Sequence, residues 1–274
     1  MTIPNFRIGH FTDIQNITGC TVVLAPPEGA VGGVDVRGPA PGTRETELLR
    51  TGHLIERAHA ILLAGGSAFG LDAASGVMRY LEEQHISFDT GVVRVPIVPA
   101  AVLFDLGIGN HLKRPDAEAG YRACLNASDN QIAEGSVGAG TGATIGKLFG
   151  MTLATKSGVG YAERQIGARN NPTHIAALVV VNAFGDVIDP NTGKILAGAR
   201  TPNGSGWLDT AAALQSDLVE IRTRYNNTTL GVVMTDAPLT TEEANIVAMM
   251  AHNGIARSTR PAHSMYDGDA IFVL

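Results

Sequence analysis

The sequence predicts an α/β fold, and three observations carry that prediction. Short β-branched, apolar runs of strand length alternate with longer segments of helical periodicity. Glycine-rich turns punctuate the chain: 33 of its 274 residues are Gly, against a usual ~7%. They are dispersed rather than periodic, which excludes a collagen-like or low-complexity chain. Finally, 45% of the residues are hydrophobic and only 17% charged, enough apolar material for a large core. The length suits one large domain or two small ones.

The formal net charge of −6 gives no basic footprint, so no nucleic-acid partner is expected. The two cysteines, Cys20 and Cys124, stand far apart without metal-ligand spacing and read as buried free thiols. The segment Met1-Thr2-Ile3-Pro4-Asn5-Phe6-Arg7 lacks the charged start and apolar run of a signal peptide. No apolar run approaches ~20 residues, so no membrane span is expected. A soluble, cytoplasmic protein is the expectation.

Residues 18–24 read as a strand, followed by the turn cluster Ala25-Pro26-Pro27-Glu28-Gly29 and a hairpin partner near 31–36. An irregular loop leads to an expected helix over 45–59. Residues 60–64 form a short buried strand. The turn Gly65-Gly66-Ser67-Ala68-Phe69-Gly70 and a helix over about 71–84 follow. The order strand, glycine turn, helix resembles a dinucleotide loop, but the Gly-x-Gly-x-x-Gly spacing and a following acidic residue are missing. These glycines read instead as points of close backbone approach, or as amides aimed at a site. A strand is expected over 92–98 and a helix over 115–126.

The stretch 135–147 imitates a phosphate loop, yet Lys147 is followed by Leu148, and Thr141 stands where a glycine is needed. A nucleoside triphosphate site is rejected, and no cofactor is expected. Strands are expected over 155–166 and 176–182, and a linker over 199–227. After a strand at 229–235, Thr240 and Glu243 make a capping box for an amphipathic helix that Gly254 ends. The chain closes on a turn and a final buried strand.

The stretch Asn226-Asn227-Thr228-Thr229, at the mouth of a buried strand and after a loose segment, is where chemistry is sought. In its bland reading it is a polar turn entering a core strand. In its functional reading the chain cuts itself between Asn227 and Thr228. Thr228 then carries both a nucleophilic hydroxyl and an α-amine base, whose reference pKa of about 7.7–8.0 leaves a useful neutral fraction near pH 7. Such a site needs an oxyanion donor and groups that orient the amine. Asn182, at the end of an apolar strand, is the candidate donor, and Lys156 is the candidate cation beside the hydroxyl. Asp267 and Asp269 flank Gly268, and residues two apart in extended chain share a face. Both carboxylates can therefore address one site. His263 lies near them in sequence as a supporting candidate, and no metal-ligand set is evident. Each of these residues also has an ordinary structural reading as a turn or surface group.

Taken together, Asp35-Val36-Arg37-Gly38, Pro41-Gly42-Thr43-Arg44-Glu45-Thr46, Gly65-Gly66-Ser67-Ala68-Phe69-Gly70-Leu71, Val98-Pro99-Ala100-Ala101, Val181-Asn182-Ala183, Asn227-Thr228-Thr229 and Asp267-Gly268-Asp269 resemble the L-aminopeptidase/D-amidase/D-esterase family. That family includes β-peptidyl aminopeptidases and the endo-type 6-aminohexanoate (nylon) oligomer hydrolase. The resemblance covers nearly the whole chain. It implies a four-layer αββα sandwich, similar to N-terminal-nucleophile hydrolases but with its own connectivity. It also implies a single domain cut into an α chain of 1–227 and a β chain of 228–274, assembled as a homotetramer of αβ units. Thr228 is then the nucleophile, Asn182 the oxyanion-side residue, Lys156 a neighbour of the hydroxyl, and Asp267 and Asp269 the groups that orient the amine. Thr with Asp-Gly-Asp resembles the nylon-oligomer branch more than the Ser-bearing β-peptide and D-amino-acid branches. Relatives carry a pocket Tyr near residues 101–106, where this chain has Phe104. The expected activity is hydrolysis of a small or peptide-like linear amide through an acyl-enzyme. Two further enzymatic readings are a β-peptide or D-amino-acid amidase and an acyltransferase of the N-acetyl-ornithine type. A third is a non-catalytic binding protein in which Thr228 never becomes a terminus.

Overall fold

The computed structural model describes residues 3, 5–168, 170–216 and 227–274. Ten strands form two five-stranded sheets: β1 (Arg7–Asp13), β2 (Thr18–Leu24), β3 (Gly33–Val36), β4 (Thr43–Arg44), β5 (Ala60–Ala64), β6 (Ala100–Val102), β7 (Val159–Ala168), β8 (Asn171–Asn182), β9 (Thr228–Thr235) and β10 (Ala270–Val273). The first sheet has the order β1-β2-β5-β6-β4 and the second β7-β8-β9-β10-β3. Both follow one plan. Two antiparallel pairings lead to a central parallel pair, β5 with β6 or β9 with β10, and an antiparallel edge strand closes each sheet.

Side-chain parity explains how the layers stack, because alternate residues of a strand face opposite sides. In β5, Ile61 and Leu63 enter the core between the sheets, while Ala60, Leu62 and Ala64 face helices α1 (Ala73–Glu83) and α2 (Ala117–Leu125). In β9, Leu230, Val232 and Met234 point between the sheets. Val233, of opposite parity, meets helix α3 (Thr241–Ser258) through Ala244 and Ala248. The architecture is therefore the expected αββα sandwich. Helices α1 and α2 cross at glycines: a Cβ on Gly76 would sit 1.6 Å from the Ala117 carbonyl oxygen, and one on Gly120 would sit 1.9 Å from that of Ala73.

Several expectations at the level of elements change. Residues 33–36 do not form a hairpin with 18–24. They pair with β10 in the opposite sheet, because the Pro26-Pro27 segment carries the chain across rather than turning it back. The expected helix over 45–59 is reduced to a single turn, Glu47–Leu49. Glu45 and Gly52 both have positive φ (56° and 90°), which a right-handed helix excludes. The strand expected over 92–98 shrinks to Arg94–Val95, and the sheet strand lies at Ala100–Val102. Helix α3 begins at the expected capping box, with the Thr240 hydroxyl accepting from Glu243 N–H. It runs through Gly254 to Ser258, since one glycine costs an internal turn only about 1 kcal/mol. Of the expected linker, 199–216 contains two short strands and the helix Thr210–Leu214, and 217–226 lies outside the described residues. Among the described residues no helix is long and apolar enough to cross a membrane.

Candidate active site

The parity that builds the core also builds the site. Thr228 begins β9 with the same facing as Leu230 and Val232, and Asn182 ends β8 with the same facing as Leu178 and Val180. The two residues are direct partners across the antiparallel ladder. Both are buried, Thr228 at 5% exposure and Asn182 at 0%. They close one end of the inter-sheet core with polar groups.

The peptide bond between Asn227 and Thr228 is held from both sides. Gly268 N–H donates to the Asn227 carbonyl oxygen at 2.9 Å, and the Thr228 hydroxyl lies 2.5 Å from that same oxygen. The Asn227 side-chain amide donates to the Tyr266 carbonyl at 3.2 Å. On the far side, Thr229 N–H donates to Asp269 Oδ1 at 2.6 Å. The Asp267-Gly268-Asp269 turn thus runs beside the Asn227–Thr229 backbone like a short parallel strand. Gly268 is required by space: a Cβ there would lie 2.3 Å from the Ala40 carbonyl oxygen and 3.1 Å from Thr228 Oγ1.

The two carboxylates are themselves fixed. Asp267 accepts from Phe184 N–H at 3.2 Å, and from the N–H and hydroxyl of Ser264 at 2.9 and 2.5 Å. Burial, reinforced by the charge of Asp269, pushes the Asp267 carboxyl above the usual range. His263 Nδ1 donates to Asp269 Oδ2 at 2.8 Å, and that bond raises the imidazole pKa above 6.5 against the opposing effect of burial.

The Asn182 amide is gripped through its oxygen. Oδ1 accepts from Thr144 N–H at 3.0 Å and from Lys147 Nζ at 2.8 Å, while Nδ2 donates to the Phe104 carbonyl at 3.1 Å. Phe104 therefore enters the site through its backbone. The residue also lines a narrow cleft with Asp105, Thr144, Lys147 and Met151. Lys156 lies beside this clamp, as the ladder partner of Thr144. It is exposed, and its ammonium donates to the carbonyls of Gly140, Ala143 and Ser157 at 2.8, 3.1 and 2.6 Å. Among the described residues it makes no hydrogen bond to Thr228. Partial desolvation lowers its pKa to about 8.

The structure thus brings together Thr228, Asn182, Asp267, Asp269, the Asn227 carbonyl and the Phe104 carbonyl, with His263 behind Asp269. Lys156, paired with Thr144, is held next to this group by three backbone carbonyls. Sequence reading missed Lys147, Thr144 and Ser264. Lys147 had a signal of its own: a cation inside the apolar run Ile145-Gly146-Lys147-Leu148, which has to be buried with partners. Among the described residues no three His, Cys, Asp or Glu side chains are grouped to hold a metal ion.

The fold is thus an αββα sandwich with a cluster of buried polar groups at one end of its core. Comparison with known proteins supplies the class, a hydrolase of amide or peptide bonds. The family model described as Peptidase family S58 matches residues 2–274, and the chain belongs to that family. An uncharacterized aminopeptidase of Mycobacterium leprae is 46% identical over 297 residues, covering 99% of this chain and 76% of the relative. A 6-aminohexanoate-oligomer endohydrolase of a Kocuria species is 30% identical over 275 residues, covering 99% and 73%. Among solved structures, the L-aminopeptidase D-Ala-esterase/amidase of Ochrobactrum anthropi superposes with a TM-score of 0.74 at 18% identity, covering 99% of this chain and 71% of that one. A Burkholderia beta-aminopeptidase superposes at 0.71 with 21% identity, covering 99% and 70%.

Proposed function

We propose that this chain is a self-processing hydrolase of linear, peptide-like amides whose nucleophile is Thr228. The observation that carries the reading is the Asn227 carbonyl, held by Gly268 N–H with the Thr228 hydroxyl against its oxygen. In self-cleavage, Thr228 Oγ bonds to the Asn227 carbonyl carbon and negative charge gathers on the carbonyl oxygen, where Gly268 N–H already donates. The C–N bond then breaks and the hydroxyl proton ends on the departing nitrogen. Water hydrolyses the resulting ester, leaving Asn227 as a carboxylate and Thr228 as a free N-terminal residue. The chains become 1–227 and 228–274.

In turnover, the freed α-amine takes the Thr228 hydroxyl proton as Oγ attacks the substrate carbonyl. The leaving amine receives that proton, and water then cleaves the acyl-enzyme. The new terminus stands between Asp267 and Asp269, whose carboxylates orient it and balance its charge in the protonated form. Asn182 Nδ2 is the donor for the substrate oxyanion, exchanging the Phe104 carbonyl for the developing charge. Lys156 is the direct partner of Thr144 across a two-residue strand pair, and its ammonium fixes the Ala143 carbonyl beside the residue whose N–H holds Asn182. Its own bond to Thr228 is not needed.

Thr at position 228 with Asp-Gly-Asp, together with the likeness to the oligomer endohydrolase, favours unbranched amides such as 6-aminohexanoate oligomers over α-peptides. A homotetramer of αβ units is the assembly proposed, and its native mass tests it. The function itself is tested by quenching the enzyme during turnover of a 6-aminohexanoate oligomer, an α-amino-acid amide and a β-dipeptide. The expected result is an acyl adduct on the 228–274 chain, formed fastest with the oligomer. Turnover with the adduct elsewhere, or with none at any quench time and a burst-free time course, would contradict the nucleophile assignment.

A further inference from the structure

We propose that Lys147 is a positioning residue that orients and polarises the Asn182 amide for acyl transfer. This rests on the reading of Asn182 as the oxyanion donor. Lys147 is only 2% exposed. Its backbone is pinned where the chain passes β8, with Lys147 N–H donating to the Phe184 carbonyl at 3.1 Å and Gly146 N–H to that of Gly185 at 3.1 Å. From there Nζ donates to both acceptors of Asn182, the backbone oxygen at 2.9 Å and Oδ1 at 2.8 Å.

An asparagine amide has nearly the same shape in either orientation, so its hydrogen-bond network decides which end faces the reaction. Here the oxygen end faces Thr144 N–H, the Thr144 hydroxyl at 3.5 Å and a side-chain amine able to carry positive charge. A flipped amide would set its NH2 group against the Thr144 N–H and the Lys147 ammonium, donor to donor. The clamp therefore aims Nδ2 at the Phe104 carbonyl and the adjoining cleft. Charge on Oδ1 also draws electron density from Nδ2–H, so the amide donates more strongly to a forming oxyanion.

The charged groups that face Lys147 include Asp267 and Asp105, and Asp105 in turn faces Lys156. Burial lowers the Lys147 pKa to about 7, and the two carboxylates oppose that fall. An ionisable amine, charged below about pH 7, is thereby kept in the core where an apolar side chain would pack at lower cost. Lys156, which interacts with three carbonyls at the surface, has no such link to Asn182 among the described residues.

The test is a double-mutant cycle on the full chain, using Lys147→Met, Asn182→Ala and both together, with rates taken per Thr228-terminated chain. Lys147→Met is expected to lower kcat about ten- to a hundredfold, as for loss of a charged hydrogen bond, with KM within about twofold. In the Asn182→Ala background the same substitution is expected to change kcat by less than about twofold, because its target is gone. Equal loss in both backgrounds, or unchanged kcat in Lys147→Met, overturns the inference. Full activity in Asn182→Ala defeats the oxyanion reading itself, and does so in a variant that leaves Lys147 intact. If Lys147→Met fails to fold, Lys147→Gln keeps a neutral donor in the same space. It is expected to lose kcat less than tenfold at unchanged KM, and a loss confined to KM overturns the inference equally.

Discussion

The two sheets share one hydrogen-bonding plan, yet only one of them carries the proposed reacting groups. In the first sheet the parallel pair β5 and β6 runs out into the Gly65-Gly66 turn and Asp105. The Asp105 carboxylate takes Thr18 Oγ1 on one oxygen and Gly66 N–H on the other, each at 2.7 Å. It ties loop to loop, and burial raises its pKa. In the second sheet the parallel pair β9 and β10 starts at Thr228 and behind Asp269. There Asp269, Gly268 and the Thr228 hydroxyl grip successive groups of a single backbone stretch. The two ends meet: Lys147 senses both Asp105 and Asp267. The comparison teaches that a buried carboxylate at a strand end is not in itself a catalytic feature. What distinguishes Asp267 and Asp269 is that the polar groups around them converge on one peptide bond.

The sharpest way to break this comparison is to remove the one hydroxyl that has no counterpart in the first sheet. Thr228→Ala is expected to leave the chain uncut and to lower amide hydrolysis by about 10⁴-fold or more, as for removal of a nucleophile. Mass spectrometry and a turnover assay check both results. Next in size, Asp269→Asn and Asp105→Asn probe the two carboxylates directly. Asp269→Asn should slow the appearance of the 228–274 chain about a hundredfold, since the Thr229 N–H loses a charged acceptor beside the reacting bond. Asp105→Asn should leave that rate within about threefold and cost about 1–3 kcal/mol of stability, read by urea unfolding. Equal effects on processing would erase the distinction.

The meeting point of the two ends gives a subtler test. Folding lowers the Lys147 pKa from 10.5 to about 7, so between these values the unfolded chain binds the proton and the native chain does not. Stability from this group therefore rises with pH across that window, by at most ~1.4 kcal/mol per pH unit. Lys147→Met should remove most of that slope. The shift of Lys156 to about 8 acts in the same direction and remains. The smallest effect is expected at His263, whose pKa is raised by Asp269. Its stabilisation is fully present below 6.5 and is lost as pH rises through the raised value. His263→Gln should accordingly cost up to about 1 kcal/mol near pH 6 and nothing well above the raised pKa.

Much of the second sheet was legible in the sequence because its signals are local. The apolar run of β8, the β-branched entry to β9, the Thr240/Glu243 capping box and the Asp-Gly-Asp turn each announce themselves within a few residues. Thr228, Asn182, Asp267 and Asp269 were singled out from those stretches, and the structure groups them. The first half of the chain was harder to read. Residues 45–59 have helical apolar spacing, but positive φ at Glu45 and Gly52 breaks them. Residues 33–36 left the expected hairpin because β3 pairs with a strand more than 230 positions later, a pairing that no local pattern encodes. Lys147 is masked by its place in a failed phosphate loop, and the signal that marks it is a cation inside an apolar run. Lys156 is legible as a cation at a strand start, and the three carbonyls that meet its ammonium come from segments no local pattern joins.

The central claim is that the Asn227–Thr228 bond is cut by the chain itself. Intact-mass measurement of freshly purified protein over time, with N-terminal sequencing of the smaller product, tests it most directly. The account predicts two chains, the smaller beginning Thr-Thr-Leu-Gly, that appear together with amide hydrolysis, and a single uncut chain for Thr228→Ala. A wild-type protein that stays whole while hydrolysing amides at full rate would contradict it.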